Sequence, residues 1–298
     1  MKSYLDLVPI SAKVHRKQNR MSIICIVLAV FLVTAIFGMA DMFIRGQILQ
    51  AQQENGNWHI GIRNISDEDA KLIASRPEVA AAADYGVFNY RGGQGYTLSG
   101  KNVAVCGSNE SAVTEIFAAL DKGSFPANGD EALVTNNAKN MLHLEIGEQI
   151  VITMPDGSER AYTISGFMNN TVGIMSRDSY GVCLTTESFR AIYPDGTSSN
   201  PADYTMRLLK FKSTRNIQSS IAEIKQQFGL SDEQVSENTE LLGLLGQSSN
   251  SFMLQVYAVA AILFILVLIA GVLMITSSMN SNVAQRTEFF GMVRCIGT

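Results

Sequence analysis

The residues most suggestive of chemistry are Gly95-Tyr96-Thr97-Leu98-Ser99-Gly100-Lys101, which have the spacing of a phosphate-binding loop. In such a loop backbone amides wrap phosphate, the lysine reaches it, and a Ser or Thr after the lysine holds magnesium before a helix opens. Here Asn102 follows the lysine, and Val103 to Cys106 is a strand-forming run, so the segment reads as a glycine-rich loop. The three histidines, His15, His59 and His143, lack Cys, His or acidic neighbours at ligand spacing, which argues against a zinc site. No Gly-x-Ser-x-Gly elbow occurs, and lone carboxylates such as Glu131 and Glu145 read as solvated. Asn64, Asn109 and Asn169 each begin an Asn-x-Ser/Thr sequon, relevant only in a secretory eukaryotic context. Of four cysteines, Cys106 and Cys183 share the middle of the chain, and a disulfide or a pair of buried free thiols both fit. The expectation is a protein that is not an enzyme and has no cofactor of its own.

The elements around these residues say more. Met21 to Ala40 is twenty residues without a charge, and Val256 to Ile275 is another twenty, inside a charge-free stretch from Leu241 to Gln285. A twenty-residue helix is roughly 30 Å long, the hydrocarbon thickness of a bilayer, so each block is long enough to span. Gly38 and Ala40 mimic a signal-peptide cleavage site, but the apolar run is longer than a signal core and follows a long basic leader, so an anchor fits better. Lys2, Lys13, Arg16, Lys17 and Arg20 precede the first block against Asp6 alone, which keeps that end in the cytoplasm. Seven of the 23 basic and three of the 27 acidic residues lie outside residues 45–250, leaving the middle with a net charge near −8. An acidic middle gives no electrostatic reason to expect nucleic acid as a partner.

Residues 45–250 alternate strand and helix patterns, which predicts an α+β extracytoplasmic domain inserted between two transmembrane α-helices. Strands are expected at Asn57–Arg63, Tyr85–Tyr90, Val103–Cys106, Val182–Thr185 and Tyr204–Phe211. Helices are expected from Ser66, its cap, to Ser75, and at Ser111–Leu120, Thr186–Ile192 and Ile217–Phe228. Gln149 to Phe167 reads as a hairpin turning at Pro155-Asp156-Gly157-Ser158. Ile44 and Ile48 beyond the first block, and Leu241, Leu245 and Phe252 before the second, have helical spacing and suit either a stalk or an interfacial segment.

The segment from Gln285 to Thr298 resembles the cytoplasmic stretch after the second span of FtsX-like permeases, the group that includes MacB-type transporters. The matching positions are Arg286, Glu288, Gly291, Arg294 and Gly297, with Glu288 one residue further from the glycine than that pattern places it. The middle resembles the MacB-type periplasmic core domain through Arg76 to Val79, Gly123 to Pro126, Gly129 to Val134, Ala138, Leu142 to Gly147, Gln149 to Thr153 and Tyr162 to Phe167. The resemblance implies a permease component without a substrate channel, with ATP bound by a separate ABC ATP-binding subunit, membrane lipid around the spans and a possible permease dimer partner. Motion would pass to an outer domain acting on lipoprotein, peptide or drug cargo. Phe289, Val293 and Ile296 share a helical face flanked by Arg286 and Arg294; it suits a groove on the ATPase, the alternative being a helix resting on headgroups. The organisation expected is a basic segment 1–20, a span 21–44, the outer domain with stalk 45–250, a span 251–279 and a coupling segment 280–298. Family members carry at least two further spans, so the chain reads as the first part of a longer permease. A two-span receptor or adhesion protein without an ATPase is the competing reading.

Overall fold

The computed structural model describes residues 16–176, 178–192, 205–248 and 251–296. The chain divides into two units, one holding residues 1–45 and 251–298, the other Gly46–Asn250. In the first unit lie most of α1 (Arg16–Asn55) and all of the long C-terminal helix Ser251–Ile296. Phe37 and Phe264 from these two helices meet at 5.0 Å between ring centroids. Apolar side chains project outward along both, among them Phe31, Met39 and Leu273, each more than 60% exposed. Taken over the described residues alone, no helix is long and apolar enough to cross a membrane. Taken over the sequence, both helices contain the twenty-residue charge-free blocks.

In the second unit the frame is a split β-α-β motif used twice. Strand β1 (Ile60–Arg63) leads through α2 (Asp67–Ala74) to β2 (Val79–Phe88). Much later in the chain, β10 (Thr205–Phe211) leads through α5 (Ile217–Phe228) to β11 (Val235–Glu237). β10 lies between β1 and β2, antiparallel to both, and β1 lies between β10 and β11, giving the order β11-β1-β10-β2. Both crossover helices pack on one face, where Ile73, Ile217, Ile221 and Ile224 meet Ile60, Ile62, Leu209 and Phe211. Ser66 caps α2 by accepting from the Asp69 amide at 3.0 Å, and Asp67, Glu68 and Asp69 oppose the positive helix end. In β2 the pairing skips Ala80, so Val79 joins the helix-covered face while Ala81 and Ala83 face the other side.

Between β2 and β10 the chain builds a closed barrel. Its strands are β3 (Thr97–Leu98), β4 (Lys101–Ser108), β6 (Glu131–Thr135), β7 (Gln149–Thr153), β8 (Glu159–Met168) and β9 (Tyr180–Thr185). The order β4-β3-β7-β8-β6-β9 returns to β4 through a parallel β4–β9 ladder, and the short β5 (Leu120–Gly123) lies outside on β8. Inside are Phe88, Leu98, Val105, Val134, Ile152, Ile164, Val182 and Phe189, all at most 2% exposed. The β7–β8 hairpin has the expected turn: Met154 donates to Ser158 at 2.8 Å, Gly157 donates back to Met154 at 3.0 Å, and Asp156 accepts from the Ser158 hydroxyl at 2.6 Å. α3 (Asn136–Leu142) follows β6, and α4 (Thr186–Ala191) follows β9.

Three expectations change. The helix expected at Ser111–Leu120 is a single π-type turn, Ala112–Ile116, ended by Ala118 in the left-handed region, with the chain continuing as β5. The strand expected from Tyr85 begins six residues earlier, because pairing with β10 overrides the weak strand preference of the Val79-to-Ala83 run. On the second side the helix does not continue as expected: α6 (Thr239–Leu244) is separate, buries Leu241 and Leu242 within the domain, and is followed by Gly246 at φ +69°. A new helix, α7, then runs from Ser251 to Ile296.

Barrel closure leaves no room above Gly107 in β4, where a Cβ would lie 2.1 Å from Cγ of Phe189. Gly107→Ala is expected to cost about 1–3 kcal/mol through overpacking. Urea unfolding of the solubilised chain, followed by the fluorescence of Trp58, the sole tryptophan, measures it. An unchanged midpoint would contradict the packing.

Candidate functional site

Among the described residues no group of three or more His, Cys, Asp or Glu is placed to hold a metal ion. The glycine-rich segment is a two-residue β3–β4 turn in which Ser99 and Gly100 both have positive φ, as a type I′ hairpin requires, and Lys101 opens a strand with its ammonium over the Tyr180 ring. Glu131 accepts from the Ala127 amide and the Asn128 side chain. Cys106 and Cys183 face each other in register across the parallel ladder as buried free thiols. The hydrogen bond with Cys183, and then burial, push the Cys106 thiol up, away from a reactive thiolate.

What the domain does build is a socket for the C-terminal end of α1. A helix end leaves its last carbonyls without partners, and each needs one where the end is covered. Gly56 takes the left-handed conformation at φ +91° and donates to Gln52 at 3.0 Å. The Glu54 carbonyl accepts from the Gly173 amide at 3.0 Å, and the Asn55 carbonyl accepts from the Trp58 indole at 2.8 Å. The Asn57 amide donates to Ile116 at 2.6 Å, which ties the π-type turn to the helix end.

Aromatic packing fixes the same point. Phe117 is 4% exposed and lies against both Gly56 and Gly173: a Cβ on the first would be 2.8 Å from its ring, and on the second 2.4 Å. Tyr85 meets Phe117 at 5.2 Å between centroids and donates its hydroxyl to the Gly173 carbonyl. Tyr90 donates to the neighbouring Val172 carbonyl.

The exit from the domain is bound to its entrance. Asn238, 5% exposed, accepts from Leu241 at 3.3 Å as the cap of α6. Its amide also donates to the carbonyls of Gly56 at 3.3 Å and Trp58 at 3.0 Å, and its backbone donates to His59. Asn55 donates to Glu240 at 2.6 Å. His59, buried at the start of β1, accepts from the Phe211 amide through Nδ1 at 2.9 Å and stacks on the Phe211 ring. Burial first, then the nearby Lys210 charge, pulls its pKa down to about 4.

Of the residues singled out in the sequence for coupling, Arg286, Glu288, Phe289, Gly291, Val293 and Arg294 lie on α7. Gly291 is exposed, and among the described residues no group stands where its Cβ would lie. The side chains of Arg286, Glu288, Phe289, Val293 and Arg294 lie outside the described residues, as does Gly297 altogether. Sequence reasoning did not find the socket. Its one local signal is Asn55-Gly56-Asn57 after the Ile44 and Ile48 stripe, a helix stop of the usual kind.

The α+β core is entered by one long helix and followed by another, and its two ends are tied at one point. The chain belongs to the MacB-like periplasmic core domain family, whose model matches residues 21–227, and with it to the MacB-type ABC-transporter permeases. It is similar in fold to the periplasmic region of MacB from Actinobacillus actinomycetemcomitans, at 8% identity and TM-score 0.43, over 65% of this chain and 94% of that one. It is similar to a domain of a putative permease protein from Porphyromonas gingivalis, at 12% identity and TM-score 0.38, over 59% and 76%. The extracellular domain of the ABC-type transporter YknZ from Gram-positive bacteria is similar at 10% identity and TM-score 0.40, over 60% and 98%. The family match carries the assignment. No curated protein matches the sequence.

Gly173→Ala and Gly56→Ala are each expected to destabilise the domain by about 1–3 kcal/mol, with added backbone strain at Gly56. Both should shift the emission of Trp58, and wild-type stability with unaltered emission would rule out the clamp. His59 supplies a pH dependence. Its folded pKa, about 4, lies below the ordinary value near 6.5, so the unfolded chain binds the proton first. Stability is therefore full above about pH 6.5 and falls by about 3 kcal/mol on the way to pH 4. His59→Asn keeps an acceptor for the Phe211 amide but does not titrate. Urea midpoints at pH 7 and 4.5 should converge for the variant relative to wild type, and equal pH slopes would refute the assignment.

Proposed function

We propose that the chain belongs to the permease subunit of an ABC transporter, relaying ATP-driven motion from a cytoplasmic ATPase to an extracytoplasmic domain that acts on lipoprotein, peptide or drug cargo. The observation that carries this reading is a family core domain bracketed in sequence by two long helices whose charge-free blocks expose apolar side chains. Such side chains are unfavourable in water and at ease in lipid. The basic leader puts residues 1–20 inside, the spans occupy 21–44 and 251–279, and residues 45–250 lie outside.

On this reading the chain catalyses nothing and binds no cofactor; ATP belongs to the partner subunit. The spans carry no buried charge of the sort that marks a solute path. Displacement instead travels along α1, about 60 Å of unbroken helix, to its socketed end. The ATPase meets the segment from Arg286 to Gly297, with Phe289 and Val293 entering its groove and Arg286 and Arg294 flanking them.

Replacing Phe289 and Val293 together by Asp should abolish co-purification with the ATP-binding subunit while leaving membrane insertion and the outer domain intact. Association at the wild-type level would remove the coupling role from this face.

A further inference from the structure

Asn-Gly occurs twice in the chain, at Asn55-Gly56 and Asn128-Gly129, and the fold gives the two pairs opposite surroundings. We infer that Asn128 is a site of spontaneous covalent modification, converted in the folded domain to aspartate and isoaspartate, while Asn55 is protected from the same reaction. This goes beyond the permease reading and does not depend on it.

The reaction is intramolecular and needs only water and hydroxide. The Gly129 backbone nitrogen gives its proton to hydroxide and bonds to Cγ of Asn128. The Cγ–Nδ2 bond breaks, and the side-chain nitrogen takes a proton from water and leaves as ammonia, which returns the hydroxide and leaves a cyclic imide. Water opens the imide at Cγ to give aspartate, or at the main-chain carbonyl to give isoaspartate, whose backbone runs through the former side chain. In net terms water is consumed and ammonia released in equal amounts.

The nucleophile is open at one pair and closed at the other. Asn128 and Gly129 are both exposed in the loop between β5 and β6, and among the described residues the Gly129 amide donates to no acceptor. Gly56 is buried, and its amide is already given to Gln52 at 3.0 Å. The electrophile differs in the same sense. Oδ1 of Asn128 accepts from the Asp130 amide at 3.0 Å, an Asx turn whose hydrogen-bonded ring contains both Cγ and the Gly129 nitrogen. That Asp130 N–H also stands where negative charge grows on Oδ1 as the new bond forms. Asn55 ends α1, where a helical backbone turns the next nitrogen away from Cγ, and its carboxamide is held by Glu240 at 2.6 Å.

The change at Asn128 reaches the barrel. Glu131 loses the Nδ2 donor it has at 3.0 Å, and a new carboxylate appears beside Asp130 and Glu131. Isoaspartate lengthens the main chain just before Gly129 and Asp130, whose carbonyls accept from the Ser188 hydroxyl at 2.9 Å and the Thr163 amide at 2.8 Å. Ser188 precedes Phe189, which fills the barrel.

The test keeps the full chain in detergent at mildly alkaline pH, below its melting temperature, and samples it over days. Mass spectrometry of the two Asn-Gly peptides follows conversion, and labelling by isoaspartate methyltransferase tells isoaspartate from aspartate. In the folded chain Asn128 should convert about tenfold faster than Asn55, and the two rates should converge in urea that unfolds the domain. Gly129→Ala, which crowds the attacking nitrogen, should slow conversion of Asn128 about tenfold. An unmodified Asn128, or an Asn55 that converts as fast in the folded chain, would overturn the assignment. So would a difference that persists in urea, since flanking residues and not the fold would then set it, or an undiminished rate in Gly129→Ala. None of these outcomes bears on ATPase association, so the two readings fail separately.

Discussion

Everything in the α+β domain is arranged around the requirement that α1 end inside protein. The carbonyls in the last turn of a helix accept nothing from their own helix, and the cover they receive here has to bring its own donors. Those donors come from distant stretches: the Gly173 amide for Glu54, the Trp58 indole for Asn55, and Asn238 for the carbonyls of Gly56 and Trp58 that follow. Close approach of Phe117 to Gly56 and Gly173 then becomes a consequence, because neither residue can carry a side chain while that ring sits between them. The interrupted helix at Ala112–Ile116 has the same origin. Asn57 takes the Ile116 carbonyl, and Ala118 turns left-handed as the chain leaves for β5.

The barrel is the means by which these distant stretches are held at fixed positions. Its parallel β4–β9 ladder closes the ring, and the Phe189 side chain lies over Gly107 at the point where β4 has no Cβ. On the outside of that ring, Leu133, Met168, Ile174 and Cys183 form one cluster with Ala83, Leu208 and Phe117. The cluster joins the barrel to the split β-α-β sheet and places the Asn169-to-Ile174 loop against the helix end. A loop set between two rigid layers keeps its amides in place, so the Gly173 donor is in position whether or not the barrel is displaced as a body.

Part of this was legible in the sequence. α2 with its Ser66 cap, α5 with its isoleucine stripe and the Pro155–Ser158 hairpin are local structures, decided by residues a few positions apart, and they stand where the sequence puts them. The alanine run at the start of β2 and the shortened helix after Ser111 are decided by partners more than a hundred and about sixty residues away, respectively, and neither has a local signal. Cys106 and Cys183 show the same limit: two cysteines in one domain do not announce that parallel register sets them side by side, nor that they stay reduced. The socket was invisible for a further reason. It is made of ordinary residue types, Asn, Gly, Trp, Phe and Thr, whose value lies in meeting one another, whereas motif reading finds chemistry concentrated in a short run.

Tying the entrance to the exit has a mechanical consequence. Asn238 bonds to Gly56 and Trp58, and Asn55 bonds to Glu240, so the two places where the chain joins the domain are held together. Moving one relative to the other breaks several hydrogen bonds, each worth about 1 kcal/mol net, and exposes the buried Asn238 amide at further cost. Moving both together breaks none of them. A domain built this way resists being pulled apart at its base.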